Sequence, residues 1–138
     1  MADTDIAHLL DQMMRRVHVG LQARSAAFDA HGVGPGGGMV LMTLAEIAPA
    51  PIHALVSQVA RDKSQITRML KALEGKGLIS REMSQADARV CVVDLTAEGL
   101  ATVEVLRGAV AEVVDEILAP LEEADRVVLK GLLERVAV

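Results

Sequence analysis

Aromatic residues are nearly missing from this chain. It has no tryptophan, no tyrosine and one phenylalanine, Phe28, among 138 residues. A site that holds an aromatic ligand by stacking on protein rings has little to build on. Cysteine is just as scarce. Cys91 stands alone, so an internal disulfide is excluded, and with no signal peptide the chain reads as cytoplasmic. No apolar run approaches the roughly 20 residues that span a bilayer, so no membrane partner is expected. The histidines His8, His18, His31 and His53 are scattered, with no HExxH spacing, and no metal site is expected. There is no nucleophile elbow. The adjacent carboxylates Glu122 and Glu123 do not face one another on a helix. The run Gly34-Pro35-Gly36-Gly37-Gly38 lacks a following Gly-Lys-Ser/Thr and is no phosphate loop. Neither enzyme chemistry nor a cofactor is expected. Positive charge is short too: the net charge is -5 and the pI about 5.3.

What the chain has in plenty is apolar surface at helical spacing. It is 51% hydrophobic with a mean hydropathy of +0.35, high for its length. Ile6, Leu9, Leu10, Met13, Met14, Val17 and Leu21 predict a helix from Thr4, its cap, to about residue 30, ~40 Å at the usual rise. Leu100, Val103, Leu106, Val110, Val113, Val114 and Ile117 predict another over 96–119, broken by Pro120. A last helix, about 122–137, carries Val127, Val128, Leu132, Leu133 and Val136. Glu122, Glu123 and Asp125 at its start suit the helix dipole. The terminal helices cannot bury these stripes on a small domain alone. A two-fold homodimer is the commonest remedy, a single intramolecular bundle the alternative.

The middle of the chain is organised differently. Met39 to Ile47 predicts a nearly all-apolar helix, with the glycines before it making a poor start. Ala48-Pro49-Ala50-Pro51 reads as a rigid link. Pro51 to Val59 predicts a short helix with Pro in its first turn, and Ala60-Arg61 a tight connection. Asp62 and Gln65 then fit a capping box. Ile66, Met69, Leu70 and Leu73 form a buried stripe; Ser64, Thr67, Arg68 and Lys71 lie opposite it. Gly77 can take the left-handed conformation that stops the helix. Such a helix suits a DNA major groove, though a solvated amphipathic helix has the same pattern. Leu78–Glu82 and Val90–Leu95 read as strands around a polar 83–89, a hairpin with a projecting tip. Helix, turn, helix, hairpin describes a winged helix-turn-helix. The fold class is mainly α with a small β-hairpin (α+β).

Four pieces carry a resemblance: Asp62–Arg68, Leu73–Arg81, Asp87-Ala88-Arg89 and Leu95–Gly99. In this order and spacing, residues from about Val33 to Gly99 resemble the MarR (multiple antibiotic resistance regulator) family of bacterial transcription factors. The resemblance implies a winged helix-turn-helix over 33–95, flanked by dimerisation helices over 1–32 and 96–138. It implies that the helix from Lys63 to Leu73 reads DNA, with Lys63, Ser64, Gln65, Thr67, Arg68 and Lys71 nearest the duplex. Arg89 would enter the minor groove, oriented by Asp87. Arg81 would either contact phosphate or serve the wing structurally. The implied function is a ligand-responsive repressor that binds double-stranded DNA as a homodimer, on pseudo-palindromic half-sites ~34 Å apart. A small-molecule effector would act between the dimer helices and the winged domain. Two departures stand out: Gly38 lies near where the family often has a large aromatic residue, and Arg61 where it usually has an apolar one.

The acidic balance is uneven along the chain. Residues 61–89 hold seven cations against four carboxylates, a net +3, and the rest carries -8. The segment argued to meet DNA is the basic one. His18, near the implied effector junction, is a candidate ligand contact or a polar residue edging an apolar stripe. Met13, Met14, Met39 and Met42 could line a plastic pocket, though methionine at this spacing is ordinary core. Cys91 is a candidate redox sensor or a plain core residue. Two other readings of the whole remain: a winged-helix protein-interaction module without DNA binding, and a metal or redox sensor.

Overall fold

The computed structural model describes residues 1–24, 26, 32–59 and 61–137. Its elements, in chain order, are α1 (Thr4–Ala23), α2 (Gly34–Ile47), β1 (Ala50–Pro51), α3 (Ile52–Val59), α4 (Lys63–Gly75), β2 (Ile79–Met83), β3 (Cys91–Leu95), α5 (Ala97–Ile117) and α6 (Glu123–Val136). They divide into two compact units, Arg24–Ala109 and the pair of segments Met1–Ala23 with Val110–Val138. Helix α5 contributes to both.

In the central unit the apolar stripes meet one another. Val40, Leu41 and Leu44 of α2, Leu55 of α3 and Ile66 and Leu70 of α4 are completely buried, as are Val93 of β3 and Leu106 of α5. The three helices thus share one core with a face of the sheet. The strands are antiparallel in the order β1-β3-β2. Ile79 lies opposite Leu95, Arg81 opposite Val93 and Met83 opposite Cys91.

Three details differ from expectation. First, the hairpin gains a third strand: Ala50 pairs with Val93 and Pro51 with Val92. The stretch expected as a mere link is extended because each proline disfavours a helical residue before it. Proline is tolerated there because β1 is an edge. Helix α3 therefore starts at Ile52 rather than Pro51. Second, α2 begins at Gly34, not Met39. Packing outweighs the poor propensity of glycine. Gly37 and Gly38 are buried, and a Cβ on Gly36 would lie 2.7 Å from Cε of Met69. Third, α1 is capped by Asp3, not Thr4. Asp3 Oδ1 accepts from the backbone N–H of Asp5 at 2.9 Å and of Ile6 at 3.1 Å, which moves the cap back by one residue. That helix runs from Thr4 to Ala23, and the stretch expected to carry it on to about residue 30 lies largely outside the described residues. Residues 25 and 27–31, with Phe28 and His31, and Ala60 lie outside the described residues.

In the terminal unit the stripes stay open. Neither α1 nor α6 has a buried residue. Ile6, Leu9, Leu10 and Met14 of α1 are exposed, as are Val127, Val128, Leu132, Leu133 and Val136 of α6. Two contacts stand out among the described residues of this unit. Gly20 lets α1 approach α5 so closely that a Cβ there would lie 2.6 Å from Cγ1 of Val113. Arg126 anchors the start of α6, donating from Nη1 to Asp115 Oδ1 at 2.6 Å and from Nη2 to the Leu118 carbonyl at 3.0 Å. No helix among the described residues is long and apolar enough to cross a membrane.

Candidate nucleic-acid interface

Helix α4 is held at both ends by local chemistry. At its start Asp62 is extended, and its Oδ1 accepts from the Gln65 backbone N–H at 2.8 Å. The Ser64 hydroxyl donates to the same oxygen at 2.7 Å. The Ser64 bond first and the Gln65 N–H second, with a lesser contribution from the charge of Arg68, hold the Asp62 carboxyl below the usual carboxylate range against desolvation. At its end Gly77 has φ +76. The Gly77 N–H donates to the Glu74 carbonyl at 3.0 Å and the Leu78 N–H to that of Leu73 at 3.1 Å. This 5→2 and 6→1 pair is a Schellman stop, in which glycine takes the left-handed position at least cost.

Between those ends the helix has two unlike faces. Ile66, Leu70 and Leu73 are buried and Met69 half-buried. Lys63, Ser64, Thr67, Arg68 and Lys71 are exposed, and Gln65 is half-buried at the edge between the faces. Thr67 turns its hydroxyl proton onto the Lys63 carbonyl at 2.7 Å, leaving its oxygen lone pairs outward. Lys63, Arg68 and Lys71 form no ion pair with any described residue, so their charges are available to a ligand.

The wing adds a further cation, Arg89. Ser84 N–H donates to the Val90 carbonyl at 2.8 Å and Val90 N–H to that of Asp87 at 3.0 Å, closing the tip. Asp87 Oδ1 then accepts from the Arg89 backbone N–H at 3.0 Å and from its Nε at 3.1 Å, while Oδ2 accepts from Nη2 at 3.3 Å. The Arg89 side chain is 91% exposed despite this grip. The bonds from Arg89, side chain first and backbone second, keep the Asp87 carboxyl below its usual range. An acceptor-only carboxylate thus points a solvated guanidinium without neutralising its outer edge.

Arg81 is arranged differently. Its Nη2 donates to Glu74 Oε1 at 2.8 Å, and its side chain is 27% exposed. That bond lowers the pKa of the Glu74 carboxyl and raises that of the guanidinium. The pair ties β2 to the last turn of α4. Sequence reading missed Glu74 as the partner, since the two residues sit seven apart across a helix stop and no periodicity links them. It also missed a shallow cleft of about 390 Å³ lined by Pro51, Ile52, His53, Val56, Lys63, Arg89, Val90 and Cys91. The cleft brings the half-buried thiol of Cys91 into the surroundings of Lys63 and Arg89. His18 is exposed on α1, Met14 and Met39 are exposed, and Met13 and Met42 are half-buried.

Comparison with known proteins converges on one family. The MarR family pattern matches residues 37–91, from within α2 through α3, α4 and β2 to the start of β3. A crystal structure from Pseudomonas aeruginosa, provisionally described as a transcriptional regulator, is similar at 32% identity, covering 93% of this chain and 98% of that chain with a TM-score of 0.61. The PcaV transcriptional regulator of Streptomyces coelicolor, solved in complex with its natural ligand, is 26% identical over 99% of this chain and 97% of its own, with a TM-score of 0.63. A mutant MarR from E. coli shares the fold, with a TM-score of 0.78 over 100% of this chain and 98% of that one, at 22% identity. The chain spans 63% and 49% of the length of two curated relatives it matches at 33% identity. The winged helix-turn-helix, the family pattern and these likenesses agree: this chain belongs to the MarR family of winged-helix transcriptional regulators, which are not enzymes.

Proposed function

We propose that this protein is a sequence-specific DNA-binding repressor that works as a homodimer and releases DNA when a small molecule binds. The observation that carries the reading is the outer face of α4. Three cations with no ion pair in the described chain stand there beside an oriented Arg89, on a protein whose net charge is -5. An acidic protein that sets unpaired cations along one helix and a solvent-exposed, Asp87-oriented guanidinium at one loop tip is built to meet a polyanion there.

In this reading Ser64, Gln65, Thr67 and Arg68 meet base edges in the major groove. Lys63 and Lys71 meet the flanking phosphates. Arg89 enters the adjacent minor groove, where a cation reads width and potential more than base identity. Arg81 acts on DNA through the wing, which it braces to α4. The terminal segments, 1–32 and 96–138, supply the dimer contacts, and 33–95 the DNA contacts. The exposed stripes of α1 and α6 support dimerisation, since two copies could cover each other's apolar faces. Two recognition helices then require a pseudo-palindromic operator with half-sites ~34 Å apart. The ligand complex of PcaV supports a small-molecule effector for this relative as well. The place of work is the cytoplasm, where the DNA is.

Fluorescence anisotropy tests the reading. The purified protein is titrated onto duplexes from the region upstream of its own gene and onto a scrambled duplex, across a salt series. Tight binding to one duplex, with log affinity falling steeply against log salt, is the expected result. Equal and feeble binding to every duplex at low salt would overturn it in favour of a protein-interaction module.

A further inference from the structure

Thr96 sits where the wing returns to the body of the central unit, and it makes contacts in two directions. Its hydroxyl donates to the Gly77 carbonyl at 2.6 Å. The same oxygen accepts from the Gly99 backbone N–H at 3.0 Å and so caps α5. Its backbone N–H donates to the Leu78 carbonyl at 3.1 Å. Gly77 and Leu78 are the residues that stop the recognition helix. One threonine therefore joins the stop of α4 to the start of α5, closing the base of the hairpin 79–95 between them. Gly99 makes the approach sterically feasible, because a Cβ there would lie 2.0 Å from the Leu78 oxygen. The Thr96 hydroxyl is used in both of its capacities, as donor to Gly77 and as acceptor from Gly99.

We propose that Thr96 is a positioning residue for DNA recognition: its hydroxyl fixes the angle between the recognition helix and α5, and so sets the half-site spacing that the dimer accepts. The proposal rests on the DNA-binding reading above. Thr96 lies at the base of the wing, away from the exposed cations of α4, and acts through Gly77. Helix α5 runs on from Ala97 to Ile117, and its far part belongs to the terminal unit. A loosened joint lets each recognition helix vary its angle to α5, so the dimer tolerates more spacings and holds the best one less tightly.

The test uses the full chain on duplexes whose half-site separation is stepped by single base pairs. Thr96→Asp keeps an acceptor for Gly99 and hence a capped α5, but has no proton for Gly77. Thr96→Val removes both functions at constant shape, and Thr96→Ser keeps both. Circular dichroism and sedimentation establish beforehand that each variant is folded and has the wild-type mass. If the valine variant fails to fold, the aspartate variant carries the test. Wild type and Thr96→Ser are expected to share one sharp spacing optimum. Thr96→Asp is expected to broaden or shift that optimum and to weaken binding at it by about fivefold, the effect of one lost hydrogen bond. A folded Thr96→Asp with the wild-type spacing profile and affinity would overturn the proposal. Wild type that binds none of the duplexes would overturn the DNA-binding reading itself, which is a separate result.

Discussion

The central and terminal units are made from the same kind of sequence, amphipathic helices rich in Leu, Val and Ile, yet they end in opposite states. In the central unit the stripes of α2, α3 and α4 find partners within the chain: Leu41, Leu44, Leu55, Ile66 and Leu70 are all fully buried. In the terminal unit α1 and α6 have no buried residue at all. A helix packed against two neighbours and a sheet completes its own core. A helix with fewer neighbours does not, and leaves apolar surface exposed. Under the proposed function the closed unit, with its outward polar face, reads DNA and the open one assembles.

The largest effect that sharpens this contrast is a cavity in the closed core. Leu44→Ala is expected to lower the unfolding free energy by about 2–5 kcal/mol in urea titration. A loss below 1 kcal/mol would mean that the core is looser than its burial implies. The paired substitution Val128→Glu and Leu132→Glu should act on assembly alone. Sedimentation is expected to show the dimer dissociation constant rising by about 100-fold, the order for two lost interface anchors, with helical content retained. An unchanged mass would place the dimer contact elsewhere. Next comes the polar face. Arg68→Ala should cost about 1–3 kcal/mol of operator binding, and Lys71→Ala should weaken all duplexes alike and reduce the salt slope by about 1. Neither should alter the sedimentation mass.

The smallest effect concerns the brace between Glu74 and Arg81. The carboxyl of Glu74 is held below its usual range in the folded chain, mainly by the Arg81 hydrogen bond. A depressed carboxylate pKa adds stability at neutral pH, and that contribution is lost as pH falls through and below the ordinary carboxylate range. Glu74→Gln is therefore expected to flatten the acid side of the stability profile and leave the profile near neutral pH parallel to wild type. With the Glu74 side chain 40% exposed, solvent screening keeps the change well below that of Leu44→Ala. An acid limb identical to wild type would remove the brace from the account.

Much of this was legible in the sequence, for local reasons. The cap at Asp62, the stripe from Ile66 to Leu73 and the stop at Gly77 are written within a few residues of one another, and each emerged in its expected place. So did the two longer strands. What could not be read depends on contacts between distant residues. The glycines from Gly34 argue against a helix until Met69 is known to fill the space beside them. Ala50 and Pro51 look like a link until Val92 and Val93 present an edge to pair with. Arg81 reads as either a phosphate contact or a structural residue of the wing until Glu74 is found next to it. Asp3 and Thr4 are both fair caps by type, and only geometry chooses between them.

Native mass spectrometry of the intact protein on a duplex with two half-sites tests the division of labour most directly. Two chains per duplex, falling to free single chains and bare DNA with Val128→Glu and Leu132→Glu, is the predicted result. One chain bound tightly to one duplex, unaffected by those substitutions, would contradict it.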